Sequence, residues 1–235
     1  MSEDNKEKLK QYRDSIDKID DEIHQLLMTR TKFTQKIADA KGKTTGLAIR
    51  PNREAEIHRR LFKNHDNVFP YTSLARIWRE MVNAFTLMQA NYSVCVYVDG
   101  DDTRCWELAR DQFGSIVNIE RKNNIDEVIG LAENDNTVIA VIPTDKICKL
   151  DKTKVMLRLP FAGKRQTLGD NYDAFAIGQL DLIATDKDKT VMIGNELPQG
   201  AEQIAKVNDD IFYIVDGFKT GENVIGSYPD GVESD

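Results

Sequence analysis

Residues 9–41, LKQYRDSIDKIDDEIHQLLMTRTKFTQKIADAK, decide how this chain is read. Apolar side chains recur at Leu9, Tyr12, Ile16, Ile19, Ile23, Leu26, Phe33, Ile37 and Ala40 in alternating steps of three and four. One slot of that stripe, position 30, is filled by arginine. Such a heptad-like stripe specifies one long amphipathic helix. Ser2 followed by Glu3 and Asp4 is a start signal, and Gly42 is a stop signal. At 1.5 Å per residue the helix spans about 55–60 Å. A helix of that length cannot fold back on itself, so its stripe is expected to lie along other helices, from another chain.

Downstream the pattern stays helical as far as position 91. Pro51 suits the first turn of a second helix over residues 51–64, with Ile57 and Leu61 inward. A third helix is expected over residues 72–91, with Leu74, Ile77, Trp78, Met81, Phe85 and Met88 on one face. Beyond it the periodicity changes. YSVCVYV (92–98) has strand composition, and short helices over 103–113 and 125–134 alternate with apolar strands over 116–119 and 138–142. That alternation predicts βαβ units and a largely parallel sheet. Further strands are expected at 155–159, 174–177, 191–193 and 211–215, one more helix at 199–207, and a frayed tail after Gly221. The expected architecture is multidomain: a three-helix, all-α domain over 1–91, followed by an α/β domain over 92–235.

Composition narrows the function classes. Of 235 residues, 40% are hydrophobic and 30% charged, which is a globular balance. The longest apolar run, 137–143, is too short to span a bilayer, and the first ten residues, MSEDNKEKLK, lack the apolar core of a secretory signal. Three cysteines without CxxC spacing argue against a disulfide framework, and a cytoplasmic location is expected. The net charge of −7 is unevenly spread: residues 1–90 carry +4 and the remainder −11. A nucleic-acid partner does not fit so acidic a chain, whereas a small anion fits the basic first third. His24, His58 and His65 are scattered and suggest no metal site. Arg158 and the pair Lys164/Arg165 are read as exposed charge.

The informative residues break their own patterns. Arg30 stands in an apolar slot, where a buried guanidinium requires an anion. Lys41 follows three turns later on nearly the same face. Arg53 and Glu54 open the second helix, and Gln89 edges the apolar face of the third. With Arg13 these make four cations, one carboxylate and one amide, a set suited to a compact dianion bearing a hydroxyl. Neither a nucleophile elbow nor an HExxH motif accompanies them. Arg13 and Arg30 lie 17 residues apart, about 25 Å along one helix. For both to hold one small ligand, one of them must come from a partner chain packed antiparallel.

Residues 5–90 resemble the all-α chorismate mutase family (AroQ class). The resemblance is carried by 9–41, by RPNREAEIHRRL (50–61) and by LARIWREMVNAFTLMQ (74–89), with Arg13, Arg30, Lys41, Arg53, Glu54 and Gln89 in register with the family's active-site pattern. It implies an intertwined helical homodimer and conversion of chorismate to prephenate with no cofactor and no metal. By the family pattern Arg13 of the partner chain, Arg30 and Arg53 hold the substrate's carboxylates. Lys41 and Gln89 hydrogen-bond the breaking ether, and Glu54 holds the ring hydroxyl. Because Gln89 is neutral, a weak pH dependence is expected near neutrality. Two departures stand beside the pattern. Arg50 occupies a position that is acidic in many relatives, and Phe85 one that is often serine; both are candidate site-lining residues. Two alternatives share the scaffold: an isochorismate pyruvate lyase-like enzyme, and a non-catalytic regulatory or binding protein.

Residues 92–220 more distantly resemble prephenate dehydratase. SVCVYVDG (93–100), TRCWELARDQFG (103–114) and TVIAVIP (137–143) match its opening lobe, and DAFAIGQ (173–179) with TDKDKTVMI (185–193) matches the join to its ACT region. Where that family carries Thr-Arg-Phe, this chain has Tyr-Asp-Ala-Phe over 172–175. The expectation is a reduced, non-catalytic relative.

Overall fold

The structure, a computed structural model, describes residues 2–42, 46–66, 68–162 and 172–232, with Lys41 described by its backbone alone. Lys164 and Arg165 lie outside the described residues. The chain divides into two compact units, Met1–Thr44 and Thr45–Asp235.

The first unit is one helix, α1 (Glu3–Lys41). The Ser2 hydroxyl accepts from the Asn5 amide at 3.3 Å, which caps its N-terminus. Gly42 ends it at φ +73°, where a side chain would be strained. Both boundaries fall where the sequence puts them. Tyr12, Ile16, Ile19, Ile23, Leu26 and Phe33 are all more than half exposed.

The second unit opens with Leu47 and Ile49, which are buried although the sequence reads them as linker. α2 (Pro51–Lys63) and α3 (Tyr71–Leu87) follow. Arg59 fastens α2 to the sheet, donating to Asp186 Oδ1 (2.5 Å), Thr185 Oγ1 (3.0 Å) and the carbonyls of Lys187 (2.5 Å) and Asp230 (2.8 Å).

The order then runs β1 (Ser93–Tyr97), α4 (Arg104–Phe113), β2 (Asn118–Lys122), α5 (Ile125–Asn134), β3 (Val138–Pro143), β4 (Lys154–Leu159), β5 (Ala174–Gly178), β6 (Asp188–Gly194), β7 (Glu202–Val207), β8 (Asp210–Asp216) and β9 (Val224–Pro229). These strands form one nine-stranded sheet in the order β2-β1-β3-β5-β4-β9-β6-β8-β7. One core joins α2, α3 and α4 to the sheet through Ala55, Ala75, Leu108, Phe113 and Val141. The other gathers α5 with Phe175, Val191, Phe212 and Ile225.

The sheet is mixed, not mainly parallel. Only β1–β2, β1–β3 and β4–β9 pair parallel; the other five pairings are antiparallel. Parallel neighbours need a long crossover connection, usually a helix; α4 and α5 provide one for β1, β2 and β3, while β4 and β9 are joined by a long stretch of chain that includes four other strands. The described residues after Pro143 hold a single 3-10 turn and no further helix, so successive strands there pair antiparallel. The helix expected over 199–207 is the edge strand β7, paired only with β8. The expected frayed tail is β9, which lies inside the sheet between β4 and β6. Gly226 makes that insertion possible: a Cβ there would stand 2.2 Å from the Val155 carbonyl oxygen.

Candidate active site

The two units share the six candidate residues. Arg13, Arg30 and Lys41 lie on α1. Arg53 and Glu54 lie in the first turn of α2. Gln89 lies two residues beyond the end of α3, which stops at Leu87 and not at 91. Its Nε2 donates to the Phe85 carbonyl at 3.2 Å, tying it to the last helical turn. Arg53 is exposed and pairs with Glu56 at 2.8 Å. Arg50 turns back on its own chain, Nη1 donating to the carbonyls of Leu47 (3.1 Å) and Ile49 (2.8 Å). Its guanidinium thereby satisfies the segment leading into α2. Phe85 is buried.

Glu54 has strongly perturbed surroundings. Burial pushes its carboxyl up to about 7, and the Arg79 guanidinium pulls the other way. The flat pH profile expected from a neutral Gln89 therefore does not extend to Glu54, whose titration falls inside the neutral range. Its field reaches Tyr92, whose phenol is raised first by burial and then by Glu54. One turn further along α2, burial and then Arg79 lower the His58 imidazole to about 4, which keeps it neutral.

Sequence reasoning missed the residues surrounding that carboxylate. The face of α3 taken out of water comprises Tyr71, Ala75, Arg79, Asn83, Phe85 and Thr86, whereas Ile77 and Met88 of the expected apolar face are about half exposed. Arg79 Nη2 pairs with Asp111 Oδ2 at 3.0 Å, both side chains almost wholly buried, and Arg76 Nε takes Asp111 Oδ1 at 2.5 Å. Asn83 Nδ2 donates to the Gln112 carbonyl at 2.9 Å, and the Tyr92 hydroxyl donates to Asn83 Oδ1 at 2.8 Å. The only signal in the sequence was the run of polar residues Arg76, Arg79, Glu80 and Asn83 at helical spacing, which equally describes a solvated face.

Asp173, just before β5, lies in the Tyr-Asp-Ala-Phe stretch that stands where the dehydratase resemblance calls for Thr-Arg-Phe. Its carboxylate accepts from Thr144 Oγ1 at 2.5 Å and from Arg158 Nε. Arg158 also forks onto Glu202 at 2.8 and 3.1 Å, so the charge read as exposed is held by two carboxylates. Among the described residues no group of His, Cys, Asp and Glu side chains is arranged to hold a metal.

Residues 12–90 match the family model for chorismate mutase type II. The match covers the helical stretch whose resemblance to that family the sequence carries. Two curated relatives extend it. The bifunctional chorismate mutase/prephenate dehydratase of Aquifex aeolicus (strain VF5) is 29% identical over 143 residues, 59% of this chain and 39% of its own length. The protein of the same description from Neisseria gonorrhoeae (strain ATCC 700825 / FA 1090) is 28% identical over 145 residues, 62% of this chain and 39% of its own. The chain thus spans about two fifths of the length of the curated relatives it matches. Among solved structures, GqqA, described as a novel type of quorum quenching acylase, has a TM-score of 0.38 at 7% identity, over 59% of this chain and 95% of its own. Prephenate dehydratase from Streptococcus mutans has 0.35 at 12% identity, over 60% of this chain and 100% of its own. At that level of overlap neither bears on what this chain does.

Proposed function

We propose that the protein is a chorismate mutase, an isomerase converting chorismate to prephenate in aromatic amino-acid biosynthesis. The observation that carries this reading is the family match over residues 12–90; Arg13, Arg30, Lys41, Arg53, Glu54 and Gln89 all fall inside that stretch, at the positions the resemblance implies for the site. The rearrangement is intramolecular: one ether C–O bond breaks as one C–C bond forms, and no proton or electron leaves the substrate. The protein's task is to hold a chair-like conformer and to stabilise charge growing on the ether oxygen. Arg30 and Arg53, with Arg13 of a partner subunit, hold the two carboxylates. Lys41 and Gln89 donate to the ether oxygen, and Glu54 accepts from the ring hydroxyl.

The working unit is a homodimer. The exposed apolar stripe of α1 supports it, because a helix leaving Tyr12, Ile16, Ile23, Leu26 and Phe33 in water presents a seam for another helix. Residues 1–91 form the functional mutase domain in this reading, and 92–235 an accessory domain derived from a prephenate dehydratase and without that activity. Tyr-Asp-Ala-Phe over 172–175 in place of Thr-Arg-Phe supports the loss. The reaction is assigned to the cytoplasm; no helix among the described residues is long and apolar enough to cross a membrane.

Chorismate consumption with product identification tests the reading on the wild type and Lys41→Ala. Prephenate is the expected product, and loss of the Lys41 donor is expected to lower kcat by about 10²–10³-fold. Pyruvate release would favour the lyase alternative, phenylpyruvate would restore the dehydratase, and a folded protein without turnover would leave the regulatory reading.

A further inference from the structure

The polar face of α3 meets the C-terminal end of α4 and the turn that follows it. Four residues at positions i, i+3, i+4 and i+7 each engage it. Arg76 and Arg79 take the two oxygens of Asp111 at 2.5 and 3.0 Å. Glu80 Oε2 accepts from the Ser115 amide at 3.1 Å and its hydroxyl at 3.2 Å, and Asn83 donates to the Gln112 carbonyl at 2.9 Å. The fit is close. Gly114 sits at φ +75°, and a Cβ on it would come within 2.6 Å of Glu80 Oε2. Asp111 is central: its carboxylate is almost wholly buried and serves two guanidiniums at once.

Such a set of directional contacts fixes more than proximity. Apolar packing tolerates sliding and rotation, whereas four hydrogen-bonded side chains on one face allow α3 a single rotation about its axis. Gln89 is carried at the end of that helix through its bond to the Phe85 carbonyl. A rotation of α3 by about 20° would displace a side-chain tip some 6 Å from the axis by about 2 Å. Misplacing a donor by 1 Å costs on the order of 10²-fold in rate.

We propose that Asp111, outside the mutase segment, is a positioning residue for its site: by holding Arg76 and Arg79 it sets the rotation of α3 and hence the place of Gln89. The proposal rests on the mutase reading for its kinetic consequence. α4 in this view is a structural part of the mutase, and the accessory domain is the jig that orients its third helix.

The test compares the full-length wild type with Asp111→Asn and Asp111→Glu. Two readouts are used: steady-state kinetics on chorismate, and hydrogen exchange of the amides of residues 84–90. In Asp111→Asn, kcat is expected to fall at least tenfold with KM changed less than threefold, because the carboxylate-holding arginines stay in place. Exchange at 84–90 is expected to speed up. Asp111→Glu, which keeps the charge, is expected to recover kcat to within about threefold of the wild type. A folded Asp111→Asn with unchanged kcat and unchanged exchange overturns the proposal, as does a loss confined to KM. If Asp111→Asn does not fold, Arg76→Ala removes one arm alone from a side chain that is more than half exposed. A two- to fivefold fall in kcat is then expected, and no change overturns the proposal. If the wild type has no mutase activity, the mutase reading fails, and exchange at 84–90 still decides whether Asp111 holds α3.

Discussion

On α1 the side chains left in water are apolar: Tyr12, Ile16, Ile23, Leu26 and Phe33 are each more than half exposed. On α3 the side chains taken out of water include charged and amide groups, Arg79 and Asn83 among them. Both helices are amphipathic, and each departs from the rule that the apolar stripe turns inward. The reason differs. α3 has a polar partner inside its own unit, where Asp111, Gln112 and Ser115 satisfy its face. Within its own unit α1 has no second element to cover its stripe. A buried polar face records a requirement already met within its unit; an exposed apolar face records one that its unit leaves open.

The most forceful way to break that contrast is to make the α1 stripe polar. Ile16 and Ile23 stand one heptad apart. Burying an isoleucine contributes about 1.5–3 kcal/mol, and a dimer would bury four of these. Ile16→Glu with Ile23→Glu is therefore expected to weaken self-association by more than about 10³-fold, each tenfold being about 1.4 kcal/mol. Light scattering after size exclusion would show the wild type at twice the chain mass and the double variant at the chain mass. Mutase activity would fall with the dimer, since Arg13 is assigned to the partner's site. A wild type that is monomeric at micromolar concentration would end the homodimer proposal.

The two helices also differ in how far the sequence discloses them. The bounds of α1 follow from Ser2, Gly42 and an unbroken period, all local signals. The buried face of α3 is set by α4, some thirty residues further on, and no pattern within α3 distinguishes Arg79 bonded to Asp111 from Arg79 in water. The same holds in the sheet. β1, α4, α5 and β3 are legible because each carries its own period or composition. β9 (VIGSYP) is hidden by Gly, Ser and Pro, which belong to loops unless a neighbouring strand claims them, and its place between β4 and β6 depends on both. β7 (EQIAKV) is an edge strand with little burial, so its alternation is weak. At the candidate site, the six polar residues were legible as departures from apolar stripes. The neighbours that perturb Glu54 were not, since burial is a property of the assembled unit.

His58 sharpens the comparison within the compact unit. It lies buried one turn beyond Glu54, and burial followed by the Arg79 charge lowers its imidazole from 6.5 to about 4. The folded state therefore resists a proton that the unfolded chain accepts. The resulting stability is fully present above pH 6.5 and is lost as the pH falls through that value towards 4. The shift corresponds to roughly 3 kcal/mol at its limit. Urea unfolding at pH 7.0, 5.5 and 4.5 would show this loss, and His58→Gln would show a shallower one. Equal slopes in the two proteins would mean that carboxylates alone set the acid limit.

The smallest effect concerns Glu54, where the neutral Gln89 and the buried carboxylate make opposite demands on the pH profile. If Gln89 alone governs, kcat/KM is flat between pH 6 and 8. Glu54 titrates near 7, and as a carboxylate it accepts the ring hydroxyl more strongly than as an acid. The sign follows: kcat/KM rises as the pH climbs through about 7 and falls several-fold below it, because this ratio reports groups of the free enzyme. Glu54→Gln is expected to flatten the profile at the low-pH level of the wild type, having lost the charge but kept an acceptor. Asp111→Asn moves the inflection instead of removing it. Without the Asp111 charge beside it, Arg79 acts more strongly on Glu54, which then titrates lower, and the profile shifts towards acid. A wild-type profile that stays flat from pH 6 to 8 would take Glu54 out of contact with the hydroxyl and leave the ring hydroxyl without its assigned acceptor.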